Sequence, residues 1–339
     1  MITVIGEALI DLVADEAGGV VARPGGGPFN TARTLGRLGA ETTFLGRLSG
    51  DGFGRTLRAR LGADGVTLGV PAPSGRPTTL AVADRQPDGS VSYGFYLEGT
   101  AAAALEYPVL AAALPAGVTA VHVGTLSLVM EPIACAIERL IATDVPPDAL
   151  VMVDPNCRPA AIGDRDAYLD RIERILHRAD VVKASVEDLR YLCPGVPAEV
   201  AATTLLGDKP ALVLVTDGPR PARAFLSAGS GGDGGEVSVP VPRVKVVDTI
   251  GAGDAFGGGF LAWWSAAGLG RDDLSSAGPV RAALRAAAEV SALTCTRVGA
   301  EPPLLSELSQ ASGWPPDKAG DWRVPAGGGS GLGGSGLGG

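Results

Sequence analysis

The strongest chemical signal lies in Asp248-Thr249-Ile250-Gly251-Ala252-Gly253-Asp254-Ala255-Phe256. This string follows a β-rich run at 244–247 and leads into an apolar helical pattern at 256–267. Gly251, Ala252 and Gly253 thereby fall at a helix start, where backbone N–H groups lack helical partners. The helix dipole adds positive charge at the same place, so the three residues form a cradle for a phosphate group. Asp254 stands at its mouth. A phosphate would repel that carboxylate, unless the carboxylate takes a proton from an attacking hydroxyl while the amides stabilise the transferred group. The plainer reading is a helix with a glycine-rich start and an acid in its first turn.

Other stretches carry weaker chemistry. Arg23-Pro24-Gly25-Gly26-Gly27-Pro28-Phe29-Asn30-Thr31-Ala32 precedes a helical pattern. Its glycines admit close approach of backbone to a ligand, and Asn30 either caps the helix or hydrogen-bonds a hydroxyl. Asp11 follows the first apolar strand, where ligands gather in open α/β sheets. It reads either as an acceptor for vicinal hydroxyls or as a surface loop acid. Asp154-Pro155-Asn156-Cys157-Arg158 ends another strand, and Arg158 has the fork geometry for phosphate or an acid group. Ser185 precedes a helical pattern that it can cap, and Thr216-Asp217-Gly218 reads as a turn.

The elements that must position these residues alternate. Strand-like runs fall at 2–6, 42–46, 120–124, 150–154, 181–184, 211–216 and 236–241. Helical patterns fall at 30–38, 54–61, 132–141, 166–178, 186–192, 198–205, 254–267 and 280–294. Several strands are continuous Val/Ile/Leu runs, as required when helices cover both sheet faces. Alternation of this kind predicts a mostly parallel sheet with right-handed crossovers. Two segments break the rhythm. Residues 78–84 and 90–97 flank Pro87-Asp88-Gly89 and read as a hairpin, with aromatics at alternate positions; short strands around Gly18-Gly19 cover 12–23. A hairpin inserted in an α/β domain is a candidate lid.

The chain has 339 residues, 46% of them hydrophobic, and a net charge of −9. That charge argues against a nucleic-acid surface, which needs clustered Lys and Arg. Cys135, Cys157, Cys193 and Cys295 form no CxxC pair and read as reduced thiols of a cytoplasmic protein. The N-terminus reads as a first strand rather than a signal peptide, and no stretch reads as a membrane span. Two GxGxxG matches, at 229–234 and 331–336, neither follow a strand nor open a helix. They give no support to a dinucleotide-binding dehydrogenase.

The string around Asp254 resembles the C-terminal signature of the PfkB (ribokinase-like) carbohydrate kinase family. The 23–32 stretch, continuing through Leu35, Leu38, Gly39 and Gly46-Arg47-Leu48-Ser49-Gly50-Asp51, resembles its N-terminal signature. The resemblance spans about 1–303 and implies a ribokinase-like αβα sandwich with a mostly parallel central sheet and a small β-sheet lid at 12–23 and 78–98. Residues 304–339 are then a C-terminal extension ending in a flexible glycine-rich tail.

The resemblance also implies roles. Asp254 is the base, with the amides of Gly251, Ala252 and Gly253 beside it. Asp11, Gly26, Gly27, Asn30 and Arg158 hold a sugar. Asn156, Ser185, Thr216, Gly218 and Thr249 meet ATP. Asp188 stands where many members carry the Glu of Asn-x-x-Glu, which organises Mg²⁺. Asp248 and the 296–300 loop sit where K⁺ is implied. Asp154-Pro155-Asn156-x-Arg158 is shared with fructokinase-like and ketodeoxygluconate kinase-like members, although Leu97-Glu98 stands where fructokinase-like chains often carry an Arg. The implied acceptor is fructose, with 2-keto-3-deoxygluconate, ribose or a nucleoside as alternatives. A catalytically silent sugar-binding regulator is the alternative of another class. A homodimer through the aromatic lid is also implied.

Overall fold

The computed structural model describes residues 1–14, 19–85, 91–207, 210–228, 234–308 and Trp314. The expected turn at Pro87-Asp88-Gly89, Gly18, the 229–233 glycine run and the C-terminal tail lie outside the described residues. In chain order the strands are β1 (Ile2–Ile5), β2 (Leu9–Ala14), β3 (Val20–Gly25), β4 (Thr42–Leu45), β5 (Thr67–Leu68), β6 (Thr79–Arg85), β7 (Val91–Tyr96), β8 (Ala120–Gly124), β9 (Leu150–Asp154), β10 (Val181–Ser185), β11 (Leu212–Thr216), β12 (Ala222–Leu226) and β13 (Gly235–Val239). The helices are α1 (Gly27–Arg37), α2 (Gly52–Ala63), α3 (Tyr107–Ala113), α4 (Ile133–Thr143), α5 (Arg165–Leu176), α6 (Val186–Leu192), α7 (Ala198–Leu206), α8 (Ala252–Ala266) and α9 (Ala277–Thr294).

The main sheet has the order β13-β12-β11-β10-β9-β8-β1-β4-β5. It is parallel from β11 through β5 and antiparallel at the β11–β12 and β12–β13 pairs. β1, β8 and β9 are buried along their whole length because both faces are covered. Alternation of side chains splits the core in two. Leu150 and Met152 join the core containing Phe29 of α1, Phe260 of α8 and Val280 of α9. Val151 and Val153 join the other, with Ile137 of α4, Ile172 of α5 and Leu189 of α6. Within α8, Phe260 stacks on Trp264 at 5.4 Å; burying one such ring stabilises by about 1.5–3 kcal/mol. Trp314, in the stretch assigned to an extension, is buried in the same core. No helix among the described residues is long and apolar enough to cross a membrane.

A second sheet, β3-β2-β6-β7, forms the lid. The expected hairpin is present as β6 and β7, paired antiparallel with Ala81 opposite Phe95.

Several expectations need correction. Residues 244–247 form no strand; Val246 and Val247 are exposed, and Val247 N–H donates to Cys295 O instead of to a sheet neighbour. β13 is an edge strand with one side unpaired, but the run passes it by: Val247 and Asp248 turn their N–H groups to Cys295 O at the end of α9. Asp11 does not end β1. The chain breaks at Gly6, whose φ of 150° suits glycine, and Asp11 lies within β2, opposite Arg23 and Ala81. Helix α1 begins at Gly27, so Asn30 is inside its first turn and no side chain caps that helix. β5, β12 and α3 had no counterpart in the pattern reading.

Candidate active site

Parallel pairing brings the carboxyl ends of β8, β9 and β10 to one side of the sheet, and the N-terminus of α8 meets them there. A Cβ built on Gly253 would lie 2.8 Å from Lys183 Nζ of β10. Gly251 caps α8 with φ 76°, a conformation that L side chains rarely adopt. A Cβ on it would also lie 2.5 Å from Ala300 Cβ. The N–H groups of Gly251 and Gly253 have no acceptor among the described residues, whereas Ala252 N–H donates to Thr249 O at 3.2 Å. The free donors of the cradle are therefore the two glycines.

Asp254 is 8% exposed. Asn30 Nδ2 donates to its Oδ2 at 2.8 Å, the contact that an Asn at the helix cap could not make. Burial pushes the Asp254 carboxyl above the ordinary range, while Asn30, Lys183 and Arg158 pull it down. Asp11 is pushed up to about 6 by burial and then by the charge of Asp254.

Two cavities meet at Gly253, next to this carboxylate. The first, of about 420 Å³, is lined by Asp11, Gly26, Gly27, Asn30, Arg158, Gly251 and Asp254, with Tyr93 and Phe95 from the lid. The second, of about 600 Å³, is lined by Ser185, Asp188, Thr216, Gly218, Ala252 and Lys183. Asn156, Thr249 and Gly253 line both. Asp248 lines neither. Its Oδ2 accepts from Arg23 Nη1 at 3.2 Å and Gly299 N at 2.9 Å, and its Oδ1 from Ile250 N at 3.1 Å.

Ser185 and Asp188 form a capping box on α6, with Asp188 Oδ2 accepting from Ser185 N at 2.8 Å. Asp188 Oδ1 accepts from Cys157 N at 2.7 Å, so the pair also fixes the 154–158 turn. The second cavity suits a nucleotide: glycine backbone and free N–H groups line the end that meets Asp254. A divalent ion finds few protein ligands, because no three His, Cys, Asp or Glu cluster among the described residues. Such an ion would draw most of its ligands from phosphates and water; Asp188 and Asp217 are the carboxylates lining that cavity. A monovalent ion at Asp248 would share that carboxylate with its three donors, just as the water shell of a divalent ion would share Asp188 with Ser185 and Cys157.

Pattern reading missed three groups. Glu7 is fully buried beneath the first cavity; its Oε1 accepts from Gly27 N at 3.2 Å and its Oε2 from Ser127 N at 2.9 Å. Lys183 donates to Asp154 Oδ2 at 2.9 Å, both side chains being 3% exposed. Burial works against the Lys183 charge, yet Asp154 holds its pKa above the usual lysine value. Thr125 lines the first cavity and receives Asn156 Nδ2 at 3.2 Å. Glu7 and Lys183 had a usable signal, a charge inside a continuous apolar run. Thr125 had none.

The model described as pfkB family carbohydrate kinase matches residues 1–307. A fructokinase of Rhizobium leguminosarum bv. trifolii is 35% identical over 266 residues, 77% of this chain and 79% of that one. A fructokinase of Xylella fastidiosa solved with bound ATP superposes with TM-score 0.77 at 28% identity, covering 89% of this chain and 95% of that one. A fructokinase of Vibrio cholerae O395 in its fructose, ADP and calcium ion bound form gives TM-score 0.75 at 28% identity, over 88% and 94% of the two chains. An αβα sandwich with a β lid over paired cavities thus defines a phosphotransferase with an alcohol group as acceptor. The chain belongs to the pfkB family of carbohydrate kinases.

Proposed function

We propose that the protein transfers the γ-phosphate of ATP to a primary hydroxyl of fructose. One observation carries the reading: a buried carboxylate, Asp254, faces the first cavity next to Gly253, where that cavity joins the second, beside unpaired amides at a helix N-terminus. Fructose as acceptor is supported by the fructokinases among the relatives.

Asp11, Gly26, Gly27, Asn30 and Arg158 hold the sugar in the first cavity. Asn156, Ser185, Thr216, Gly218 and Thr249 hold the nucleotide in the second. Closure of the lid, with Tyr93 and Phe95, excludes water and limits ATP hydrolysis. Asp254 takes the proton of the attacking hydroxyl, and the N–H groups of Gly251 and Gly253 stabilise the transferred phosphoryl group. Mg²⁺ supplies charge neutralisation on the phosphate oxygens. Asp188 orients its water shell. K⁺ sits near Asp248 and the 296–300 loop; a higher rate in K⁺ than in tetramethylammonium is expected, and equal rates would remove it.

The kinase unit is 1–303, followed by the extension at 304–339. The lid exposes Val20 (66%) and Tyr96 (63%), which favours a homodimer through this sheet; a monomer mass by light scattering would reject it. The free cysteines suit a cytoplasmic setting. The reaction itself is tested by ADP release from ATP–Mg²⁺ with fructose, ribose, 2-keto-3-deoxygluconate, glucose, adenosine and no acceptor. Fructose-dependent release is expected. Release that follows another acceptor, or none, overturns the assignment.

A further inference from the structure

We propose that Thr125 contacts the acceptor sugar, donating its hydroxyl proton to a sugar oxygen beside the reacting one, and that backbone strain aims it there. The inference rests on the reading of the first cavity as the sugar site. Among the described residues, Thr125 (φ 58°) and Asn156 (φ 39°) are the non-glycine residues with positive φ. For a β-branched side chain this is a true outlier. Such strain persists where the surroundings over-determine it, and it gathers at functional sites.

The two strained residues emerge side by side. Gly124 of β8 pairs with Asp154 of β9, so the chain leaves both strands at the same level, and both residues line the first cavity. The surroundings leave Thr125 little freedom. A Cβ on Gly124 would lie 2.2 Å from Asp154 O. Two residues on, Ser127 N donates to Glu7 Oε2 at 2.9 Å and Ser127 Oγ to Gly124 O at 2.5 Å.

The hydroxyl is oriented by its one partner. Asn156 Nδ2 donates to Thr125 Oγ1 at 3.2 Å. The Thr125 proton therefore points elsewhere, and it has no acceptor among the described residues. Thr125 lines the 420 Å³ cavity, so water satisfies this donor in the empty site and a ligand oxygen takes that place when the site is filled. A Cβ built on Gly27 would lie 2.1 Å from Thr125 Oγ1 and 3.3 Å from Asp254 Oδ1. Glycine at 27 thus lets the hydroxyl and the carboxylate flank one spot.

The test uses the full chain with ATP and whichever sugar supports wild-type turnover. Thr125→Val keeps shape and strain but removes the proton. Its KM for the sugar should rise about tenfold, well beyond any change in KM for ATP, which moves only through loss of the Asn156 contact. Thr125→Ser should stay within about threefold of wild type. Thr125→Gly releases the strain, so its Tm should rise by roughly 2–4 °C while sugar KM rises as in the valine variant. An active wild type with an indifferent Thr125→Val overturns the contact alone. A lowered Tm in Thr125→Gly overturns the strain. Absence of wild-type turnover with every sugar overturns the site reading and this proposal together.

Discussion

Asp254 and its neighbours frame the chemistry at the scale of single residues. Burial disfavours its charge, and Asn30, Lys183 and Arg158 restore it. Its carboxyl is pushed up, so the acid limb of kcat should lie above the ordinary aspartate range and activity should fall as pH drops through it. Asp254→Asn should lower kcat by about 10³-fold and keep sugar affinity within about threefold; an undiminished kcat would remove the base. Lys183 tests the ground beneath. Lys183→Met leaves Asp154 buried and unpaired, with Oδ1 already lacking a partner, and should cost about 3–5 kcal/mol in chemical denaturation. Adding Asp154→Leu should recover much of that; no recovery would mean that Lys183 stabilises by other contacts. The legible residues at this scale were those in strings: Gly251 to Asp254, Gly26 to Asn30, Asp154 to Arg158. Thr125 carried no signal; Glu7 and Lys183 stood out as charges in apolar runs, but their partners, Ser127 and Asp154, are brought near only by the fold.

Helices α1 and α8 carry the two halves of the Asn30–Asp254 contact, so their separation sets its length. Glycines allow that approach. A Cβ on Gly258 would lie 2.7 Å from Thr34 Cβ and 3.2 Å from Thr31 O. Gly258→Ala should therefore push α1 away, lower stability by about 1–3 kcal/mol and reduce kcat. Gly62→Ala in α2 is the control: nothing lies within 4 Å of its Cβ, and helix propensity alone predicts a gain of about 0.5–1 kcal/mol. Equal effects of the two on kcat would dissociate helix packing from the site. Element legibility followed burial. The continuous runs of β8 and β9 matched their expected bounds because two covered faces demand apolar residues at every position. β12 was missed because Ala-Arg-Ala-Phe-Leu is short and carries Arg223, which pairs with Glu199 on α7. α3 was missed because Tyr107-Pro108 gives no amphipathic period. The 244–247 run has the composition of a strand, but its N–H groups are drawn to Cys295 O rather than to the open edge of β13.

Over the whole molecule, charge ties stability to activity with opposite signs. The chain carries a net charge of −9 and buries carboxyls whose environment favours the proton. Burial pushes Glu7 up to about 7 and Asp154 up to about 6; burial with the charge of Asp254 pushes Asp11 up to about 6. Each folded value exceeds the unfolded one, so the folded state binds more protons in the interval between them. Their stabilisation is complete below the unfolded values and is lost as pH rises through about 6–7. For Glu7, which starts from 4.5 and is fully buried, this amounts to about 3 kcal/mol. Tm should therefore rise as pH falls from 8 toward 5.5. Activity should fall over the same range, because Asp11, pushed up to about 6, must be ionised to accept from sugar hydroxyls, and the raised Asp254 carboxyl acts in the same direction. The check is a paired pH series of Tm and kcat/KM, repeated with Glu7→Gln. That variant should flatten the rise in Tm and leave the acid limb of kcat in place, since Glu7 braces Gly27 and Ser127 rather than meeting the reacting atoms. A Tm that is level or falling from pH 8 to 6 would show that the buried carboxyls are stabilised as anions, and the acid limb would then need another source than the crowding of Asp11 and Asp254.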